Sequence, residues 1–289
     1  MFISCKTINR IWKRTKLFKK NSVFKLMNIL SKIVAIKKEE ITQKKKVRCL
    51  DEIKSSENFN RQTHSLSQKI KEGEISIIAE HKRRSPSKKE INFKTPSEQI
   101  ITGYEKNGAT AISILTEKNF FSGSENDLIL ARKLTNLPIL RKDFIVDEYQ
   151  IFESKYLGAD AILLIATCLN KNEIIKFSHL AKQQDLDVLV EIHSKDELEK
   201  VCIDNVDIIG VNNRNLKDFS VNIENSIDIG KEIPDSFVKI SESGLYNSEE
   251  LIWLIEFGYD GFLIGELFMR ESDPGDELSK LINQIKGED

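Results

Sequence analysis

The chain has 289 residues, 40% hydrophobic and 31% charged, enough for one barrel-sized globular domain or two ordinary ones. Its formal charge of −1 hides an asymmetry: residues 1–26 hold eight Lys or Arg and no acid, which leaves residues 27–289 with 36 basic against 45 acidic groups, a net of −9. An acidic body argues against nucleic acid as a partner, and no apolar run reaches the ~18 residues of a membrane span.

The basic segment 1–26, with Trp12, Phe18 and Phe24, reads as an extension upstream of a natural start at Met27. An organelle-targeting segment is the alternative, but Lys outnumbers Arg there. From Asn28 the pattern turns helical, with Ile29, Leu30, Ile33, Val34 and Ile36 at helical intervals, and a second short helix is expected near Leu66 to Ile70. Residues 27–74 are therefore predicted as helices packed on the domain that follows.

From Ile75 to the end, strand-like and helix-like stretches alternate. Strands are predicted at Ile75–Lys82, Ala109–Leu115, Pro138–Phe144, Ala161–Ala166, Val188–Ile192, Ile208–Asn213, Phe237–Ser243 and Gly261–Gly265. Thr95-Pro-Ser-Glu98, Ser194-Lys-Asp-Glu197 and Asn247-Ser-Glu-Glu250 supply helix starts, the first as a capping box with Pro96 inside the helix. Gly108, Gly158 and Gly258 stand where left-handed caps are wanted. Eight such units predict a (β/α)₈ TIM barrel with an N-terminal helical extension. A doubly wound open sheet fits less well, since Ser85-Pro86-Ser87 occupies the place of its Gly-rich loop.

Barrel enzymes work at the C-terminal ends of their strands. Polar residues cluster there: Glu80 and Lys82 on strand 1, Lys142 on strand 3, Glu191 on strand 5, Asn212 and Arg214 after strand 6, Glu242 and Ser243 on strand 7, Gly265-Glu266 on strand 8. Side chains two apart on a strand share a face, so Glu80 and Lys82 point the same way. Such charges are a structural ion-pair set or a site; their convergence on one mouth favours the site. No Ser or Cys stands beside a His base, and His64, His81, His179 and His193 form no ligand cluster. We therefore expect no metal and no cofactor. What remains is Lys/Glu acid–base work or a Lys Schiff base on an anionic substrate. Ser243-Gly244 and Gly265 let backbone N–H groups approach an anion, and Arg214 adds a bidentate donor, which suits a phosphorylated small molecule. Cys5, Cys49, Cys168 and Cys202 lack paired spacing and read as free thiols of a reducing, cytoplasmic compartment. A monomer or weak homodimer is expected.

Several stretches, Glu80-His-Lys-Arg-Arg-Ser-Pro-Ser-Lys88, Leu115-Thr-Glu-Lys-Asn-Phe-Phe-Ser-Gly-Ser124, Leu140-Arg-Lys-Asp-Phe144, Ile209-Gly-Val-Asn-Asn-Arg-Asn-Leu216, Ser241-Glu-Ser-Gly-Leu245 and Phe262-Leu-Ile-Gly265, resemble in order and spacing the motifs of the indole-3-glycerol-phosphate synthase family. The resemblance spans about Met27 to Ile285. It implies a tryptophan-pathway lyase that closes 1-(2-carboxyphenylamino)-1-deoxyribulose 5-phosphate to indole-3-glycerol phosphate with loss of CO₂ and water. It also implies roles. Lys142 is the general acid, Glu191 the general base, and Lys82 holds the substrate carboxylate and serves the dehydration. Glu80 and Asn212 position these groups, and Glu242 joins the polar site. Ser85, Arg214, Ser243, Gly244, Gly265 and the Glu266 backbone cradle the phosphate; Pro86, Phe144 and Leu163 flank the ring. A lysine beside another cation would have its pKa lowered toward neutrality. Three residues depart from the family pattern. His81 is expected to face away from the mouth as a packed core histidine, Lys89 replaces a glycine, and Glu266 stands for Ser or Thr with its side chain expected to turn outward. Phosphoribosylanthranilate isomerase, another phosphate-binding barrel, would want a Cys/Asp pair that is missing here, and a non-catalytic scaffold barrel would not need Lys82, Lys142 and Glu191 together.

Overall fold

In each strand of the barrel, small or branched apolar residues alternate between two faces, and the alternation decides what lies inside. The computed structural model describes residues 29–216 and 218–288; the basic segment 1–26 and Met27 lie outside them. Eight parallel strands close in the order β1 to β8: β1 Ile77–His81, β2 Ala111–Leu115, β3 Ile139–Lys142, β4 Ala161–Ile165, β5 Asp187–Ile192, β6 Ile208–Asn212, β7 Val238–Glu242 and β8 Gly261–Ile264. Each lies within two residues of the stretch its sequence predicts. Ile78, Ala111, Leu140, Ala161, Leu163, Leu189, Ile208, Val238, Ile240 and Leu263 fill the interior. The opposite parity, among it Ile77, Ile112, Ile139, Ile162, Val190, Ile209 and Phe262, packs against the surrounding helices. This two-sided burial is what makes the strands read as near-continuous apolar runs.

Among the described residues three α-helices precede the barrel: α1 Ile29–Val47, α2 Leu50–Lys54 and α3 Leu66–Glu72. Helix α1 buries a stripe at four-residue spacing, Ile33, Lys37 and Ile41, and runs well past the apolar pattern in the sequence because Lys, Glu and Gln continue it without breaking helical propensity. Helix α3 lays Leu66 and Ile70 against the interior cluster. Its start is pinned by Ser65 and Ser67, whose hydroxyls, with the Ser67 amide, donate to the Asp187 carboxylate at 2.8–2.9 Å.

The barrel helices are α4 Ser97–Lys106, α5 Lys118–Phe121, α6 Glu125–Leu134, α7 Tyr149–Leu157, α8 Lys171–Lys182, α9 Leu198–Val201, α10 Glu224–Gly230, α11 Ser248–Glu256, α12 Glu266–Met269 and α13 Pro274–Lys286. Gly108, Gly158 and Gly258 take the left-handed backbone expected of them. Asn247 caps α11 by accepting the Glu250 amide at 2.9 Å. Two predicted starts differ. Pro96 is the cap of α4 rather than its first helical residue, and it has neither a side-chain acceptor nor an N–H with which to close a capping box; the Ser97 hydroxyl is engaged by Arg83 and Asp127, both at 2.9 Å. Ser194 makes no cap bond; Glu197 instead accepts the His193 amide at 2.8 Å, which tightens the turn before α9. Among the described residues no helix is long and apolar enough to cross a membrane.

Candidate active site

At the C-terminal mouth of the barrel lies a cavity of about 1180 Å³, counting the open space at its entrance. All the candidate residues read from the sequence line it: Glu80, Lys82, Ser85, Pro86, Lys142, Phe144, Leu163, Glu191, Asn212, Arg214, Glu242, Ser243, Gly244, Gly265 and Glu266. Strand parity explains this. The residue after Leu140 on the inner face is Lys142, after Leu189 it is Glu191, after Ile78 it is Glu80, and after Ile240 it is Glu242.

Lys142 sits at the centre. Its Nζ lies 3.1 Å from Glu191 Oε2 and bonds Glu242 Oε2 as well. Burial disfavours the ammonium, but the carboxylates of Glu242, Glu191 and Glu80 outweigh it and hold the lysine above its ordinary pKa. The expectation of a lysine lowered by a neighbouring cation is thus overturned: the groups facing Lys142 are acids. Lys82 likewise pairs with Glu80 Oε1, at 2.5 Å. Of the two carboxylates on Lys142, burial pushes Glu242 up to about 7, against the pull of Lys142 and with help from Glu191. For Glu191 burial is outweighed by Lys142 and a hydrogen bond from Asn212, so it lies below the ordinary glutamate value. One acid near neutrality and one firmly ionised face the same ammonium. Glu242 lies over Gly210, where any Cβ would collide with its Oε1, and that oxygen has no hydrogen-bond partner.

The two ends of the cavity differ. On one side Ile29, Leu30 and Ile33 of α1 meet Phe121, Phe144, Leu163 and Ile165, with the Phe121 and Phe144 rings 6.2 Å apart. Sequence reasoning assigned no site role to Glu117, yet it accepts the amides of Asn119, Phe120 and Phe121 at 2.6–3.1 Å and so turns the chain that carries Phe121. On the other side Ser243 and Gly244 adopt consecutive left-handed conformations, φ 69° and 73°. Such a turn directs successive N–H groups into one concavity, and a Cβ at Gly244 would strike Val221. Asn213 fixes the turn by donating to Ser243 O at 3.1 Å and Ser241 Oγ at 2.9 Å. It too was missed; it faces away from the mouth and acts on the site through the backbone.

Glu266 does not turn outward. Its carboxylate lies at the cavity rim, 3.2 Å from Lys88 and 3.7 Å from Arg214. Two cations of loops 1 and 6 capture it before water does. Loop 1 itself is a tight turn in which Ser85 and Lys88 exchange backbone bonds at 2.8 and 3.1 Å. His81, by contrast, points into the helix layer as expected, 2% exposed, and burial pushes it down to about 4. Lys89 is exposed and forms no part of the cavity.

The family model described as indole-3-glycerol phosphate synthase matches residues 30–281. The chain belongs to the indole-3-glycerol phosphate synthase family. Relatives of that name include the protein of Bacteroides thetaiotaomicron, 40% identical over 90% of this chain and 100% of its own length. That of Thermoanaerobacter pseudethanolicus is 44% identical over 90% and 99%, and one from Campylobacter jejuni 49% identical over 73% and 82%. Solved structures of similar fold include a thiamine phosphate pyrophosphorylase from Pyrococcus furiosus, with TM-score 0.57, 17% identity and coverage of 77% of this chain and 98% of that one. A mutant tryptophan synthase α-subunit from the same organism gives TM-score 0.55, 14% identity and coverage of 73% and 98%. In this synthase-family chain the matched span takes in every lining residue of the mouth but Ile29. Among its described residues no group of three or more His, Cys, Asp or Glu is arranged to hold a metal ion.

Proposed function

We propose that this chain closes 1-(2-carboxyphenylamino)-1-deoxyribulose 5-phosphate to indole-3-glycerol phosphate, with release of CO₂ and water. The observation that carries the reading is the placement of Lys142: a partly buried ammonium between two carboxylates, with an apolar slot on one side and a left-handed N–H turn beside Arg214 on the other. An aryl ring seats against Phe144, Leu163 and Pro86. A phosphate seats at Ser85, Arg214, Ser243, Gly244, Gly265 and the Glu266 amide. The carbonyl between these two ends then lies at Lys142.

In this reading Lys142 gives its proton to the carbonyl oxygen as the ring carbon attacks. The ring-closed cation draws the electrons of the departing carboxylate and loses CO₂, so the substrate supplies its own electron sink. Glu191, ionised at neutral pH, accepts the proton lost as the hydroxyl departs and the indole forms. Lys82 holds the carboxylate and protonates the departing hydroxyl, with Glu80 and Asn212 fixing the geometry and Glu242 keeping Lys142 charged. Single-turnover conversion of the substrate, followed by indole fluorescence, tests the reading. Wild type should form product and Lys142→Ala should lose at least ~10²-fold, the scale of a general acid. A folded wild type that binds phosphate without turnover would favour a scaffold barrel.

A further inference from the structure

The side of Glu191 away from Lys142 holds a histidine that the reaction as described does not use. His193 stands two residues beyond Glu191, and its Nε2 is buried, 3.5 Å from Glu191 Oε1, with no hydrogen-bond partner among the described residues. A buried polar atom without a partner is costly and uncommon. The other ring nitrogen explains the arrangement. Nδ1 lies 3.4 Å from Thr167 Oγ1. The Thr167 hydroxyl has one proton, and it donates it to Glu197 Oε1 at 2.8 Å. Thr167 therefore meets Nδ1 with a lone pair, so Nδ1 is the nitrogen that carries hydrogen. Nε2 is then bare in the neutral ring. A bare nitrogen and an ionised carboxylate oxygen cannot bond each other, which accounts for both the spacing and the missing partner.

We propose that His193 is a positioning residue for Glu191, an acceptor filled only after Glu191 has taken a proton from the reaction intermediate. The inference rests on the function proposed above. In the step, the intermediate's C–H bond breaks, its electrons form the ring double bond that completes the indole as the hydroxyl leaves with the proton from Lys82, and the hydrogen binds Glu191 Oε1. The new O–H then donates to His193 Nε2. The hydrogen bond exists on the product side of the proton transfer and not before it, so it lowers the barrier without tightening substrate binding. Glu197 holds the ring in place twice over, through Thr167 and through the His193 amide at 2.8 Å. The titratable groups facing the pair are Lys142 on β3, Glu242 on β7, Glu80 on β1, Cys168 after β4, and Glu197 and Lys200 after β5.

Two measurements decide it. Long-range ¹H–¹⁵N spectra of the ligand-free protein at pH 8 should show His193 with hydrogen on Nδ1 and a bare Nε2; an Nε2–H tautomer overturns the proposal whether or not the protein turns over the expected substrate. In single turnover at the same pH, His193→Phe should slow product formation about fivefold to tenfold, the worth of one hydrogen bond, with KM unchanged. His193→Gln, whose side-chain carbonyl still accepts, should recover part of the loss. Full activity in His193→Phe, or a loss that His193→Gln does not recover at all, assigns the residue a packing role and overturns the proposal. If wild type itself is inactive, the function above fails and the tautomer still stands as a separate test.

Discussion

The two ends of the barrel use the same residue types and satisfy them differently. At the N-terminal end, Asp160 accepts from Arg61 and Arg132, each at 2.7 Å, and from the amides of Ile139 and His64 at 2.8 and 3.1 Å. Asp187 is bonded by Ser65, Ser67 and Lys182. At the C-terminal mouth, Glu80, Glu191 and Glu242 outnumber the two lysines that serve them, and the atoms Glu242 Oε1 and His193 Nε2 have no partner. Buried carboxylates with every lone pair engaged hold a fold together; buried carboxylates left short of protons or donors are poised to exchange them. The difference teaches that burial and ion pairing alone do not mark a site, and neither does a lone unmet donor, since Arg61 Nε beside Asp160 also lacks a partner among the described residues. A carboxylate oxygen left over inside the cavity, as at Glu242, is the mark here.

Removing charge should therefore act in opposite ways at the two ends. Asp160→Asn leaves two arginines facing a neutral amide in a buried setting and should destabilise the fold by about 3–5 kcal/mol, with the remaining folded protein keeping its turnover number. Glu242→Gln removes a repelling carboxylate that burial already pushes up to about 7. Its melting temperature should match or exceed wild type while activity falls. Denaturant titration beside a single-turnover assay on both variants checks the contrast. Equal loss of stability at the two sites would erase it.

Acid should reveal a third behaviour, at a residue of the C-terminal end that faces the helix layer and not the mouth. His81 is neutral in the fold, with burial pushing it from 6.5 down to about 4, while the unfolded chain binds a proton below its ordinary value. The unfolded state thus holds more protons between those pH values, so stability present above 6.5 is lost as pH falls toward about 4. The sum is on the order of 2–3 kcal/mol. The pairs of Asp143 and Asp187, whose pKa values lie below the ordinary range, weaken only at more acid pH. Between pH 7 and 4.5, where protonation of Glu242 acts in the opposite sense, the denaturant midpoint of wild type should fall relative to that of His81→Gln. A parallel fall in both would place the acid sensitivity elsewhere.

Much of this was legible because strand alternation is a short-range rule. Once Ile78, Leu140, Leu189 and Ile240 are taken as inward, Glu80, Lys142, Glu191 and Glu242 follow by counting two. What could not be read are pairings across long separations. Arg141, of outward parity and fully buried, meets Glu153 at 2.8 Å and Thr116 at 3.0 Å. Lys37 of α1 reaches Asp143, next to Lys142, from 106 residues away at 3.0 Å. In the sequence Lys37 is one polar residue among many on a Lys-rich helix, and nothing local says it is 1% exposed. The same limit explains Glu266. Its neighbours in sequence predict a side chain that turns to water, and only the closed barrel brings Lys88 within reach, 178 residues away.

That capture gives the smallest expected effect and the finest test of the contrast between satisfied and unsatisfied charge. Glu266 pairs with Lys88 and with Arg214, which lines the cavity together with Ser243 and Gly244, and an incoming phosphate must displace or oppose it. The groups are about one-fifth exposed or more, so screening keeps the interaction modest. Glu266→Ser should bind inorganic phosphate about twofold to fivefold more tightly in calorimetric titration, and the gain should shrink as salt is raised from low to physiological strength. Weaker binding in the variant would carry the opposite message. The carboxylate would then be the piece that holds Lys88 and Arg214 in place for phosphate, and the mouth would contain a satisfied charge cluster after all.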